Sequence, residues 1–192
     1  MFGAAYTYVN WLHIPGALNK SAADTAIVLI GLSMILSGVC YFFNLFDPFI
    51  IYRKYLGLVG WAFGLAHVLL SWTTLQALFR LETWEKGLMW PALTAFIATI
   101  IFTIMALISN SRMAKLLGGK VWRSILRTGY IAVALIFLHV VLLKSGKWIT
   151  WWAEGMKSAP SLSLLVSIFM LIVLLMRLAL WIALTYKNRK VK

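Results

Sequence analysis

The sequence predicts an all-α membrane protein, a bundle of about five transmembrane helices preceded by a short N-terminal interfacial segment. Three observations carry that reading. Of 192 residues, 62% are hydrophobic and only 12% are charged, whereas soluble domains keep roughly a quarter of their residues charged. The mean hydropathy is +0.89. The apolar residues also gather into five runs long enough for a hydrocarbon core, which is about 30 Å thick and is crossed by about 20 helical residues.

Each run can be read in turn. Thr25–Leu45 carries no charge, and Tyr55–Phe79 has His67 in place of any charged residue. Gly87–Ser109 is uncharged and holds Pro91 in its first turn, where a missing N–H costs little. Thr128–Leu143 is short, but Arg127 and Lys144 at its ends can snorkel and lengthen it. Ser158–Leu180 is interrupted only by Arg177. Met1–Leu18 contains His13, Pro15 and Asn10 and reads as an aromatic segment in the membrane interface. It has neither the basic n-region nor the h-region of a cleavable signal peptide. No linker interrupts residues 1–192, which form a single transmembrane domain. Cys40 is the lone cysteine, which rules out an intrachain disulfide, a cysteine-ligated iron–sulfur cluster and a zinc finger.

The net charge of +13 does not imply nucleic acid, because the cations lie in short clusters between apolar runs, where they orient helices. Arg53, Lys54, Arg112, Lys115, Lys120, Arg123, Arg127, Lys187, Arg189, Lys190 and Lys192 fall on one side. Lys20, Arg80, Lys86, Lys144, Lys147 and Lys157 fall on the other. The richer side is expected to be cytoplasmic, in a bacterial-type inner membrane, with the N-terminus outside and the C-terminus inside.

Two of the three histidines, His67 and His139, lie inside apolar runs. An ionisable residue in a span is a functional candidate, because its burial in hydrocarbon is costly. Both runs start at a basic cluster and proceed outward, so the two helices are parallel. His67 follows Lys54 by 13 residues and His139 follows Arg127 by 12. At 1.5 Å per residue the depths are roughly 20 and 18 Å. Two imidazoles at one level can face each other across a planar macrocycle, and neutral imidazole is a strong ligand for haem iron. His67 and His139 are thus the candidate ligands of one haem b, the alternative being two membrane histidines that each bond a neighbouring helix. Gly60 and Gly64 lie on roughly the face of His67, either to admit a porphyrin or as a GxxxG packing contact.

YRKYLGLVGWAFGLAHVLL (52–70) resembles the second core helix of ferric reductase-like transmembrane domains. ISNSRMAKLLGGKVWRSILRTGYIAVALIFLHVVLL (108–143) is similar to their third-to-fourth helix region. The nearest form is the YedZ/MsrQ-type haem-binding membrane subunit, which pairs with a periplasmic methionine sulfoxide reductase. The resemblance covers roughly residues 25–145 and implies that His67 and His139 are haem ligands. The MsrQ-type pattern has a further histidine where this chain has Leu126, and Lys54 stands at the matching level of the second helix. It also has an extra N-terminal helix that Met1–Leu18 is too short to supply. The inner ligands of a two-haem ladder are thus missing, and one haem in the outer half of the membrane is expected.

Lys144 and Lys147 are candidates for neutralising haem propionates, and Arg177 either snorkels at the interface or pairs with a propionate or a quinone carbonyl. Trp148, Trp151 and Trp152 read as an aromatic belt or a docking face. Glu82, Glu85 and Glu154 show no spacing for paired acid–base chemistry. The expected function is a haem b electron-transfer subunit of an oxidoreductase system rather than a complete enzyme. Its electrons would come from the quinone pool or a flavin reductase, with FMN or quinone brought by that partner. They would leave to an outer-face redox protein or metal ion. The alternatives are a direct ferric or cupric reductase at the outer face and a non-catalytic accessory subunit of a larger membrane complex.

Overall fold

In the computed structural model, which describes residues 1–11, 16–74 and 87–190, every regular element is a helix. Helix α1 (Phe2–Trp11) leads to α2 (Ala17–Phe42), a 3-10 segment (Asn44–Ile51) and α3 (Tyr52–Thr74). Then follow α4 (Met89–Ile108), α5 (Ser111–Arg127), α6 (Gly129–Ala153) and α7 (Leu162–Lys190). Five stretches are long and apolar enough to cross a membrane. They contain α2, α3, α4, α6 and α7, as the sequence predicts.

The chain runs up and down, so one end of the bundle is basic. There α2 gives way to α3 at Arg53 and Lys54, and α5 joins α4 to α6. The opposite end holds α1 and the first turns of α2. Around the bundle, α2 packs along α3 on one side and α7 on the other, while α6 packs against α4 and α7. Helices α3 and α4 touch only lightly, and α3 and α6 stand across the bundle from each other.

Lipid tails are as apolar as leucine, so helices in a bilayer associate through close backbone approach and interhelical hydrogen bonds. Both devices are present. Ala22 and Ala26 on α2, Ala98 on α4 and Ala132 on α6 are buried. Met34, Val133, Met170 and Val173 form the buried core shared by α2, α6 and α7. Gly31 and Gly38 of α2 leave room for Phe169 and Met176 of α7. Ser33 donates to the Arg53 carbonyl at 2.6 Å, and Trp61 donates to Thr103 Oγ1 at 3.1 Å, tying α3 to α2 and α4.

The element boundaries differ from the hydropathy reading in two informative places. The first span was expected over Thr25–Leu45, yet α2 starts at Ala17, after Gly16 turns the chain at φ 73. The fourth was expected to stop at Leu143, yet α6 continues to Ala153 through Lys144, Lys147 and three tryptophans. A charge ends an apolar run but not a helix, since lysine is a good helix former. The N-terminal segment is helical as well, and it is fastened to the bundle. Val9 is buried, Phe2 stacks on Phe63 of α3 at 5.4 Å, and Tyr8 donates to the Pro160 carbonyl at 2.6 Å.

At the basic end, Asn110 caps α5 by accepting from the Met113 N–H at 2.9 Å, and Trp122 donates to the Ile108 carbonyl at 2.9 Å. Helix α5 bends at Gly118 (φ 72) and none of its residues is buried. His13, Arg80, Glu82, Glu85, Lys86 and Lys192 lie outside the described residues.

Candidate functional site

His67 sits on α3 and His139 on α6, both partly buried. Each imidazole is anchored through the same nitrogen. His67 Nδ1 lies 2.6 Å from Asn19 Oδ1 and 3.2 Å from the Asn19 carbonyl. His139 Nδ1 lies 2.7 Å from the Pro91 carbonyl. A carbonyl oxygen can only accept, so Nδ1 carries the proton in His139. The same holds for His67, because Asn19 Nδ2 donates to Ser71 Oγ at 3.0 Å and leaves Oδ1 for the ring. Both histidines are thereby fixed as Nδ1–H tautomers, and the lone pair resides on Nε2 in each. The two rings are close enough to interact electrostatically.

This arrangement has a direct chemical meaning. Metal-ligating histidines almost always donate the far ring N–H to a carbonyl or carboxylate, which fixes the ring and raises the basicity of the ligating nitrogen. Asn19 comes from the first turn of α2, and Pro91 comes from the first turn of α4. The opposite end of the bundle therefore supplies both orienting groups. Among the described residues, no three or more His, Cys, Asp or Glu side chains stand together as a metal-holding group. A pair of imidazoles does not fill a metal's coordination sphere alone. Each ring keeps its Nε2 lone pair free of a hydrogen bond among the described residues.

The other expected residues separate by level. Lys144 lies five residues beyond His139 on α6, is partly buried, and is in electrostatic reach of His139, Asp24 and Lys147. Lys147 is exposed nearby. Both are thus at the histidine end. Arg177 is not: its guanidinium lies 4.8 Å from the Tyr130 ring centroid, a cation–π contact. Tyr130 precedes His139 by nine residues, roughly 13 Å along the helix toward the basic end. Gly60 and Gly64 both face α2. A Cβ on Gly60 would meet Ile30 Cγ1 at 2.8 Å, whereas one on Gly64 would meet only Ala26 Cβ at 3.8 Å. Gly60 serves close helix packing. Of the three tryptophans, Trp151 donates to the Ser158 carbonyl at 2.9 Å and Trp152 is 69% exposed.

Sequence reasoning missed three groups. Asn19 falls between the interfacial segment and the expected first span, where the sequence gives it no role. The Pro91 carbonyl has no signal in the sequence, since any residue there offers one. Asp24 stands one residue before the expected first span, yet in the structure it is inside α2 and only 8% exposed. Its signal was available, as one of only five acidic residues in the chain. No family model matches this chain, and no curated protein matches it significantly.

Proposed function

We propose that the chain is a haem b-carrying electron-transfer subunit of the membrane, with His67 and His139 as the axial pair. The observation that carries the reading is the shared tautomer: both rings are anchored at Nδ1 by fixed oxygens and keep Nε2 for iron. The similarity to YedZ/MsrQ-type subunits points the same way.

Each protein group then has a defined task. His67 and His139 ligate, while Asn19 and the Pro91 carbonyl orient them. Lys144 and Lys147 supply positive charge where propionates would emerge. Haem, when bound, supplies a one-electron couple whose potential the axial ligands and their hydrogen bonds tune. At the basic end Leu126 and Lys54 replace the histidines of a second pair, so one haem per chain is expected, nearer the end where α2 begins. By the distribution of cations that end faces outward. Its distance from the cytoplasmic face favours a quinol diffusing within the membrane over a soluble flavin reductase. The acceptor is an outer-face redox protein or metal ion.

A second reading also has an observation behind it. The same Nδ1 bonds stitch α3 to α2 and α6 to α4, which is a structural role that membrane histidines fill without any metal. A reduced-minus-oxidised difference spectrum of the purified protein separates the two. A b-type spectrum is expected; a flat difference spectrum from folded protein purified with haem supplied would leave the stitching role alone.

A further inference from the structure

Asp24 is the buried ionisable group that the haem reading does not use. It lies on α2 inside a membrane-spanning helix, and its carboxyl group makes no hydrogen bond or ion pair among the described residues. Beside it, the hydroxyls of Ser21 and Thr25 are fully buried and likewise lack partners among the described residues. A buried polar group without a partner costs free energy, more so for a carboxylate in hydrocarbon. Three such groups within two helical turns mark a place built to receive hydrogen bonds from something else.

A cavity adjoins Asp24 and Thr25. It has a volume of about 190 Å³ and lies between α1, α2 and the start of α7. Asp24, Thr25 and Tyr8 line it, and the remaining wall is apolar, including Ala4, Val28 and Val166. An apolar cavity of about 150 Å³ is enough to hold benzene, so this one takes a body of one or two fused rings. Lys20 and Lys144 both act electrostatically on Asp24 from nearby. With that positive charge already present, a metal ion or an ammonium group is disfavoured as the occupant. What fits is neutral, flat and apolar, with a hydroxyl to donate to the carboxyl group.

We infer that the cavity under α1 binds a hydroxylated aromatic ring of the quinol class, with Asp24 accepting the ring hydroxyl and Thr25 as a second polar contact. The inference deepens the donor side of the haem reading, which gives such a molecule a reason to come. Its test uses protein without haem, so either can fail alone.

The test is binding of 2-naphthol to the haem-free full chain in lipid nanodiscs, with empty nanodiscs as the partition background. Naphthol transfers its proton in the excited state to a hydrogen-bonded carboxylate, and the naphtholate emission reports the acceptor directly. Saturable binding with that emission is expected. Asp24→Ala should weaken binding about tenfold and abolish the emission, as loss of a buried hydrogen bond predicts. Thr25→Val, nearly isosteric, should weaken binding less and keep the emission. Displacement by 1,4-naphthoquinol should be about tenfold more effective than by 1,4-naphthoquinone, which has no hydroxyl to donate. Absence of saturable binding to the wild-type chain overturns the inference. So does an Asp24→Ala variant that binds like wild type, or equal displacement by the two ring forms. Circular dichroism melting of each variant confirms that a loss is not unfolding.

Discussion

Replacing Asn19 by leucine removes the oxygen that holds His67 while nearly preserving volume at a site only 9% exposed. The structure sets the size of the effect. Asn19 Oδ1 is the nearer acceptor at 2.6 Å, but the Asn19 backbone carbonyl remains at 3.2 Å from the same nitrogen. The ring N–H is therefore not orphaned, and the tautomer survives with looser orientation. Loss of an orienting group behind a metal-bound histidine typically costs 10–100-fold in affinity. With the backbone acceptor left in place, the lower figure applies, about tenfold or about 1.4 kcal/mol. Ser71 also loses the amide that donates to it, which adds roughly 1 kcal/mol of fold destabilisation. Asn19→Asp is the informative counterpart. An anionic acceptor makes the imidazole more basic and stabilises ferric iron, so the midpoint potential should fall. Haem titration of the apo-protein and a spectroelectrochemical titration read both effects. Affinity within twofold of wild type for Asn19→Leu, together with an unmoved potential for Asn19→Asp, would refute the orienting role.

Other outcomes follow from the same geometry. His67→Ala and His139→Ala should each abolish haem binding, whereas His13→Ala should retain it; normal haem content in either of the first two removes the ligand assignment. Gly60→Ala should destabilise the chain by about 1–3 kcal/mol through overpacking, because its Cβ meets Ile30 at 2.8 Å. Gly64→Ala, with 3.8 Å to spare, should melt within a few degrees of wild type; equal losses for the two would contradict the packing described. Reporter fusions at Lys192 should be active only on the cytoplasmic side, and activity confined to the outer side reverses the orientation drawn from the cations.

Much of this was legible in the sequence because hydrocarbon is an unforgiving solvent. Long uncharged runs find few places to go except a bilayer, so the five spans emerge from composition alone. The histidine pair was legible for the same reason: a histidine among AFGLA and VLL, or IFL and VVLL, is conspicuous. What hydropathy could not supply was where helices end, since Lys20, Asp24, Lys144 and Lys147 break an apolar run without breaking a helix. The orienting partners were hidden for a deeper reason. Asn19 and Pro91 are distant in sequence from the histidines they hold, and one acts through a backbone carbonyl whose identity no side chain announces. Arg177 could be read two ways from its position, and only the Tyr130 ring beneath it puts its guanidinium at the basic end.

The central claim is one bis-histidine haem b per chain, and pyridine haemochrome quantification on pure protein, normalised to chain concentration, tests it most directly. The account predicts one haem per chain, falling to zero in both His67→Ala and His139→Ala. A value of two would require a second ligand pair that Leu126 and Lys54 do not provide, and the preference for a quinol donor would fall with it. A value of zero for folded protein supplied with haem would contradict the claim outright.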